Sequence, residues 1–208
     1  MYNKIDNMGT SKVVRMKIIA ATQNKGKIRE IKSIFSDFEI ISMKEAGFDI
    51  EIEENGKTFE ENALIKARAI AKLSSLPVLA DDSGLCVDAL DGRPGIYSAR
   101  YAGEGATDEQ RWEKLLKELE NISNRSAKFV SNVAFVTPEG KEYTACGEVL
   151  GDIGFEPIGN NGFGYDPLFI SKELGKTFAE ASQEEKNSIS HRKRALTKLY
   201  QIIEKEGK

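Results

Sequence analysis

The sequence predicts an α/β protein built on a long mixed sheet with flanking helices. Three observations predict it. Short apolar runs alternate with amphipathic stretches of helical period, one long hairpin interrupts that alternation, and 40% of the 208 residues are hydrophobic. A chain of this length makes one large domain or two small lobes sharing a sheet, and it buries enough surface to fold without disulfide or metal staples. With 30 Lys and Arg against 33 Asp and Glu, the net charge is −3. That balance argues against a duplex nucleic-acid partner, which needs a basic footprint. No apolar run approaches the roughly 18 residues of a membrane span, and no stretch reads as a secretory leader, so the expected location is the cytoplasm. Cys86 and Cys146 lie far apart and form no CxxC pair, so they are expected to be small buried apolar residues in a reducing compartment.

Residues 1–15 are polar and aperiodic and read as a flexible extension ahead of a domain spanning 16–208. MKIIAAT (16–22) is a short apolar run, typical of a buried strand, and FEIISM (38–43) reads as a second. Between them, Ile28, Ile31, Phe35 and Phe38 keep a helical period. Thr58 with Glu61 three residues on is a capping box, opening a helix with Phe59, Ala63, Ala67 and Ile70 on one face and Asn62 and Lys66 on another. LPVLADDSG (76–84) reads as a strand ending in acids and glycine. Residues 92–106 are glycine-rich and irregular, and 107–121 form an amphipathic helix with a Thr cap. AKFVSNVAFVT and KEYTACGEVLG flank Pro138-Glu139-Gly140 as an antiparallel hairpin. GNNGFGYDP (159–167) is a loop, and 182–205 reads as one helix with Ser182 and Glu185 as its capping box.

Five places carry candidate chemistry. The turn Thr22-Gln23-Asn24-Lys25-Gly26-Lys27 joins a strand to a helix, and free helix N–H groups with two lysines suit a phosphate, although no Walker pattern is present. Asp81-Asp82-Ser83-Gly84 falls at the expected strand end, where α/β sheets place ligands; adjacent strand residues face opposite ways, which predicts different roles for the two aspartates. The run Glu51, Glu53, Glu54, Glu60 and Glu61 is a solvated face unless one of its carboxylates meets the aspartate pair, in which case Mg²⁺ would fit. Phe163, between Gly162 and Gly164, can lie under a purine, and Asp166 can accept from a base edge; a turn with a core aromatic is the plainer alternative. Lys186, His191 and Arg192 concentrate positive charge, either as an exposed helix or as a helix start offering donors to a nucleotide.

The order and wording of five stretches point further. TQNKGK, EENGKTFEENALIKA, LADDSGLCVDALDGRPGIYSARYAG, GFGYDPLF and EEKNSISHRKRAL resemble the inosine triphosphate pyrophosphatase family, from about residue 16 to 199. The resemblance implies two lobes of a long mixed sheet around a central cleft, a homodimer, and Mg²⁺-dependent cleavage of ITP, dITP and XTP to the monophosphate and pyrophosphate. Residue by residue it implies that Thr22, Gln23, Asn24, Lys25, Gly26 and Lys27 contact the triphosphate. Glu54 would be a metal ligand, and Asp82 both a metal ligand and the catalytic proton acceptor. Ser83, Phe163, Gly164, Tyr165, Asp166, Lys186, His191 and Arg192 would bind substrate, with Lys27 and Lys186 expected at the phosphates and His191 and Arg192 at the purine 6-oxygen. Asn55 stands where threonine is common in the family. Three alternatives stay open. An aspartyl-phosphate phosphatase needs a D-x-D spacing that Asp81-Asp82 lacks, a non-catalytic nucleotide sensor has no need of metal ligand and base together, and a pyrophosphatase for modified pyrimidine or 7-methylguanine nucleotides should lack FGYDP and SHR.

Overall fold

The computed structural model describes residues 2–5 and 11–206. Strands β1 (Tyr2–Ile5) and β2 (Ser11–Val14) pair antiparallel as a sheet of their own, where the aperiodic sequence predicted no strand. Residues 1 and 6–10 of the expected extension lie outside the described residues.

The body is a six-stranded mixed sheet. Strands β3 (Lys17–Ala20) and β4 (Glu39–Ser42) run parallel, joined by helix α1 (Lys25–Ile34). Helix α2 (Phe59–Ala71) leads to β5 (Val78–Val87), which lies parallel to β3 and antiparallel to β6 (Ser126–Val136). Strand β7 (Glu142–Ile153) completes the hairpin with Val136 opposite Glu142, and β8 (Phe169–Ser171) closes the edge in the order β4-β3-β5-β6-β7-β8. Helix α3 (Asp108–Glu118) precedes β6, and a 3₁₀ segment, Gly95–Arg100, precedes α3.

Three expectations need correction. Strand β5 does not end at the acids; it pairs with β6 over all ten residues, from Val78 opposite Val136 to Val87 opposite Ala127. What ends there is its parallel neighbour, since β3 reaches only Val78 and Leu79. The acids thus sit beyond the carboxyl end of β3, where the chain leaves the sheet for α1. The expected helix over 182–205 is two helices, α4 (Gln183–Ile189) and α5 (His191–Glu206). Ser190 breaks them with an extended backbone (φ −58°, ψ 146°), and its Oγ accepts the Lys193 N–H at 3.1 Å. Finally, Cys146 is exposed and Cys86 only half-buried, because β7 alternates and Cys146 falls on its solvent phase beside buried Ala145 and Gly147.

Alternation also divides the core. On one face of the sheet Leu79, Val133 and Ala145 pack on α1 and α5; on the other Val78, Ala80 and Ala134 pack on α2. Further along the first face lies a separate apolar cluster of Leu85, Phe129, Val149 and Phe169. Between the two clusters on that face runs a polar row. Asp81 heads it, and Ser83, Ser131 and Gly147 cross three strands in register. A Cβ at Gly147 would overlap the His191 carbonyl and the Ala195 amide, so the missing side chain lets the start of α5 descend onto the sheet at this row.

Candidate active site

A cleft of about 1380 Å³ opens at the polar row, walled by the Thr22–Lys27 turn, Glu54, Lys66, Ser83, the Gly162–Asp166 loop and the start of α5. The two aspartates face opposite sides of β5, as alternation requires, and their surroundings differ. Asp81 is 1% exposed; it meets Lys27 Nζ at 2.6 Å and Arg192 Nε at 3.2 Å, and the Ser131 hydroxyl donates to it. Burial works against its ionisation, but Lys27, Arg192 and Ser131 reverse this and hold the carboxyl well below the usual range. Asp82 lies toward α2. Its Oδ1 is 3.5 Å from Lys66 Nζ, which also binds Glu54 Oε2 at 2.9 Å. Burial raises the Asp82 pKa, Lys66 opposes the shift and the Glu54 charge adds to it.

Asp82 Oδ2 is buried with no hydrogen-bond partner. Two hard carboxylates therefore share a single ammonium, with a free carboxylate oxygen between strand and helix. This donor set fits Mg²⁺, which takes one or two carboxylates and fills its octahedron with phosphate and water. Among the described residues no group of three Asp, Glu, His or Cys side chains forms a self-sufficient cage. Of the acidic run, Glu54 alone reaches the aspartate pair. Glu51, Glu53 and Glu60 are exposed, and Glu61 accepts the Lys57 N–H at 2.5 Å instead of closing the capping box on Thr58. Thr58 still accepts the Glu61 N–H at 3.1 Å.

The Thr22–Lys27 turn lines the cleft as expected, although its amides are not all free. Asn24 caps α1, its Oδ1 accepting from Gly26 and Lys27 N–H at 2.8 and 3.2 Å. Lys25 is exposed, and Lys27 is committed to Asp81.

In the Gly162–Asp166 loop, Phe163 is 48% exposed while Tyr165 is 4% exposed and donates its hydroxyl proton to the Ser98 carbonyl. Phe163 is thus the available platform and Tyr165 a core residue. Asp166 is buried, binding Lys186 Nζ at 2.5 Å and the Phe163 N–H at 2.9 Å. Lys186 lies over the Phe163 ring, 4.9 Å from its centroid, and lines the same cleft as Lys66. His191 stacks on Phe129 with centroids 5.0 Å apart. Burial, reinforced by Arg192, holds its pKa well below 6.5, so the imidazole is neutral and offers one N–H. Arg192 is 3% exposed and binds three side chains: Asp81 and, at 3.0 Å, the Ser83 hydroxyl on β5, and Glu30 on α1 at 2.8 Å.

Sequence reading missed Lys66, Asn62 and Glu30 as members of the site. A signal existed for the first two, since Asn62 and Lys66 are polar residues four apart on one face of a largely buried helix. Asn62 Oδ1 accepts the Gly56 N–H at 2.9 Å and so anchors the segment that carries Glu54. Nothing in the sequence marks Glu30, whose partner lies 162 positions away.

Comparison with known proteins places the chain in a family. Residues 18–202 match the model of the Ham1 family. A Geobacter sulfurreducens protein named dITP/XTP pyrophosphatase is 52% identical over 187 residues, 88% of this chain and 94% of its own. The Bacillus subtilis protein of that name is 48% identical over 196 residues, 92% of this chain and 99% of its own. The solved structure of the Staphylococcus aureus Ham1 protein superposes with a TM-score of 0.86 at 47% identity, covering 91% of this chain and 99% of that one. A HAM1 protein from Coxiella burnetii superposes at 0.85 with 43% identity, covering 91% and 99%. With a matching family model over most of the chain and relatives near 50% identity across it, the chain belongs to the Ham1 family.

Proposed function

We propose that the protein hydrolyses non-standard purine nucleoside triphosphates (ITP, dITP and XTP) to the monophosphate and pyrophosphate, keeping deaminated bases out of the nucleotide pool. Relatives sharing about half of its residues carry the name dITP/XTP pyrophosphatase. The observation that carries the reading to this chain is the make-up of the cleft wall. Asp82 and Glu54 share Lys66, Lys27 binds the neighbouring Asp81, and Phe163, an exposed aromatic between glycines, lines the same cleft.

In this reading Glu54 and Asp82 hold Mg²⁺, which when bound neutralises phosphate charge and favours departure of pyrophosphate. Asp82 accepts a proton from the attacking water, the role that its buried Oδ2 without a hydrogen-bond partner leaves open. Lys66 and Lys27 face the phosphates, together with the amides of the Thr22–Lys27 turn. Phe163 stacks on the purine, Lys186 and Asp166 fix the loop beneath it, and Ser83 fixes the Arg192 guanidinium. His191 and Arg192 donate toward a 6-oxo group, where the 6-amino group of adenine would meet donor with donor. Guanine shares the 6-oxygen and is excluded at its 2-amino group. Asp82→Asn under Mg²⁺ tests the assignment: loss of pyrophosphate release with retained nucleotide binding is the expected outcome.

A homodimer in the cytoplasm completes the proposal. The two free thiols suit a reducing compartment, and among the described residues no helix is long and apolar enough to cross a membrane. Light scattering on the purified protein tests the assembly.

A further inference from the structure

The loop that carries Phe163 is held by a helix that no part of the proposed mechanism uses, although Asp108 and Arg111 at its start line the cleft. Gly164 has a backbone φ of +61°, and both of its peptide groups are tied to the first two turns of α3. Its N–H donates to Asp108 Oδ2 at 2.8 Å, and its carbonyl accepts from the Trp112 indole at 2.6 Å. The second Asp108 oxygen is bound by Arg111, whose other nitrogen donates to the Ala99 carbonyl beside the Tyr165–Ser98 contact. Asp108 sits in the first turn of α3, where the helix dipole favours a carboxylate. Trp112 packs on the apolar cluster under the loop. A half-exposed ring between two glycines would otherwise have several orientations open to it, since glycine gives the backbone little restraint. Here the preceding peptide is fixed internally by Asp166 and the following one by α3.

We propose that Asp108 and Trp112 are positioning residues that set the orientation of Phe163, and through it the selection of the purine base. They act on the Gly164 peptide groups rather than on the reacting atoms, and the inference rests on the reading that Phe163 stacks on the base.

Calorimetric titration of the intact protein with IMP and, separately, with pyrophosphate in Mg²⁺ tests it. Asp108→Ala should weaken IMP by about tenfold or more and change pyrophosphate by less than about twofold, as loss of a charge-assisted hydrogen bond to the loop that carries Phe163 requires. Asp108→Asn keeps an acceptor for the Gly164 N–H and should restore most of the IMP affinity. Trp112→Phe, which loses only the indole N–H and some bulk, should weaken IMP in the same direction and serves if Asp108→Ala folds poorly. Phe163→Ala separates the two ideas. If it weakens IMP while Asp108→Ala and Trp112→Phe do not, the positioning role is overturned and the stacking reading survives. Should Phe163→Ala leave IMP unaffected, the stacking reading fails and this proposal falls with it. Equal weakening of IMP and pyrophosphate by Asp108→Ala would also overturn the proposal, because it would mark a general structural role.

Discussion

Asp81 and Asp82 are chemically identical neighbours that one strand turns into opposites. Asp81 is held ionised by Lys27, Arg192 and Ser131, and its folded pKa lies below the ordinary 3.8. Its contribution to stability is therefore complete at neutral pH and is lost as the pH falls below about 4. Asp82 has a raised pKa, so ionising it in the empty site works against the fold as the pH rises above 3.8. The two asparagine variants should separate accordingly in thermal melts and turnover assays. Asp81→Asn leaves Lys27 buried without its counter-charge and Arg192 with Glu30 alone, and should cost about 3–5 kcal/mol. Asp82→Asn should melt no lower than wild type without metal, yet lose turnover by at least about 100-fold. A tenth of wild-type kcat remaining in Asp82→Asn would remove it as the base. Arg192 is the second residue to probe, and the structure decides the variant. Alanine would take the charged partner from Glu30 and one of two cations from Asp81, whereas Arg192→Lys keeps a charge and loses the planar fork. It should lower kcat/KM for ITP by roughly 10- to 150-fold and for ATP far less. Equal losses would move Arg192 to the phosphates.

Among the elements, the most informative is the interruption at Ser190. Continuous helical periodicity over 182–205 concealed it, because one serine in a helical pattern carries little weight against apolar spacing on both sides. The break matters because it places His191 and Arg192 in the first turn of α5, directly over Gly147. Ser190→Ala removes the oxygen that accepts the Lys193 N–H, a loss of about 1 kcal/mol. For a chain of this size the melting temperature should fall by about 2–4 °C, with a matching drop in kcat/KM for ITP as the two side chains loosen. An unchanged melting curve would mean that packing on Gly147 alone holds the start of α5. Strand β5 teaches a related lesson. Its apolar run stops at Ala80, so the sequence suggests an end there, but the ladder to β6 continues through Asp81 and Asp82 because charged partners from three helices cover both faces. Local patterns made the elements legible, whereas the pairings of Lys27 and Arg192 with Asp81 span 54 and 111 positions and leave no local trace.

For the whole molecule, the sheet order follows from the alternation and the hairpin, both readable in the sequence. The cleft is a consequence of two apolar clusters on one face separated by a polar row. In that cleft Lys186 lies over the Phe163 ring and Lys66 joins the acids Glu54 and Asp82, a grouping the motifs did not bring out. The β1–β2 pair stands outside this plan. It forms a separate two-stranded sheet, and the family match begins at residue 18. An isolated hairpin contributes little stability in water, so removing residues 1–15 should change neither melting temperature nor kcat/KM. A clear loss in either would show that the hairpin packs on the body or on a second copy. The central claim is selective hydrolysis of non-standard purine triphosphates to monophosphate and pyrophosphate, and the most direct measurement is kcat/KM for pyrophosphate release under Mg²⁺ across ITP, dITP, XTP, GTP, ATP, dTTP and dUTP. The structure predicts ITP, dITP and XTP at least about 100-fold above ATP, as expected where a base edge is matched by hydrogen bonds. Equal rates across the purines, preference for a pyrimidine, or release of orthophosphate in place of pyrophosphate would contradict it.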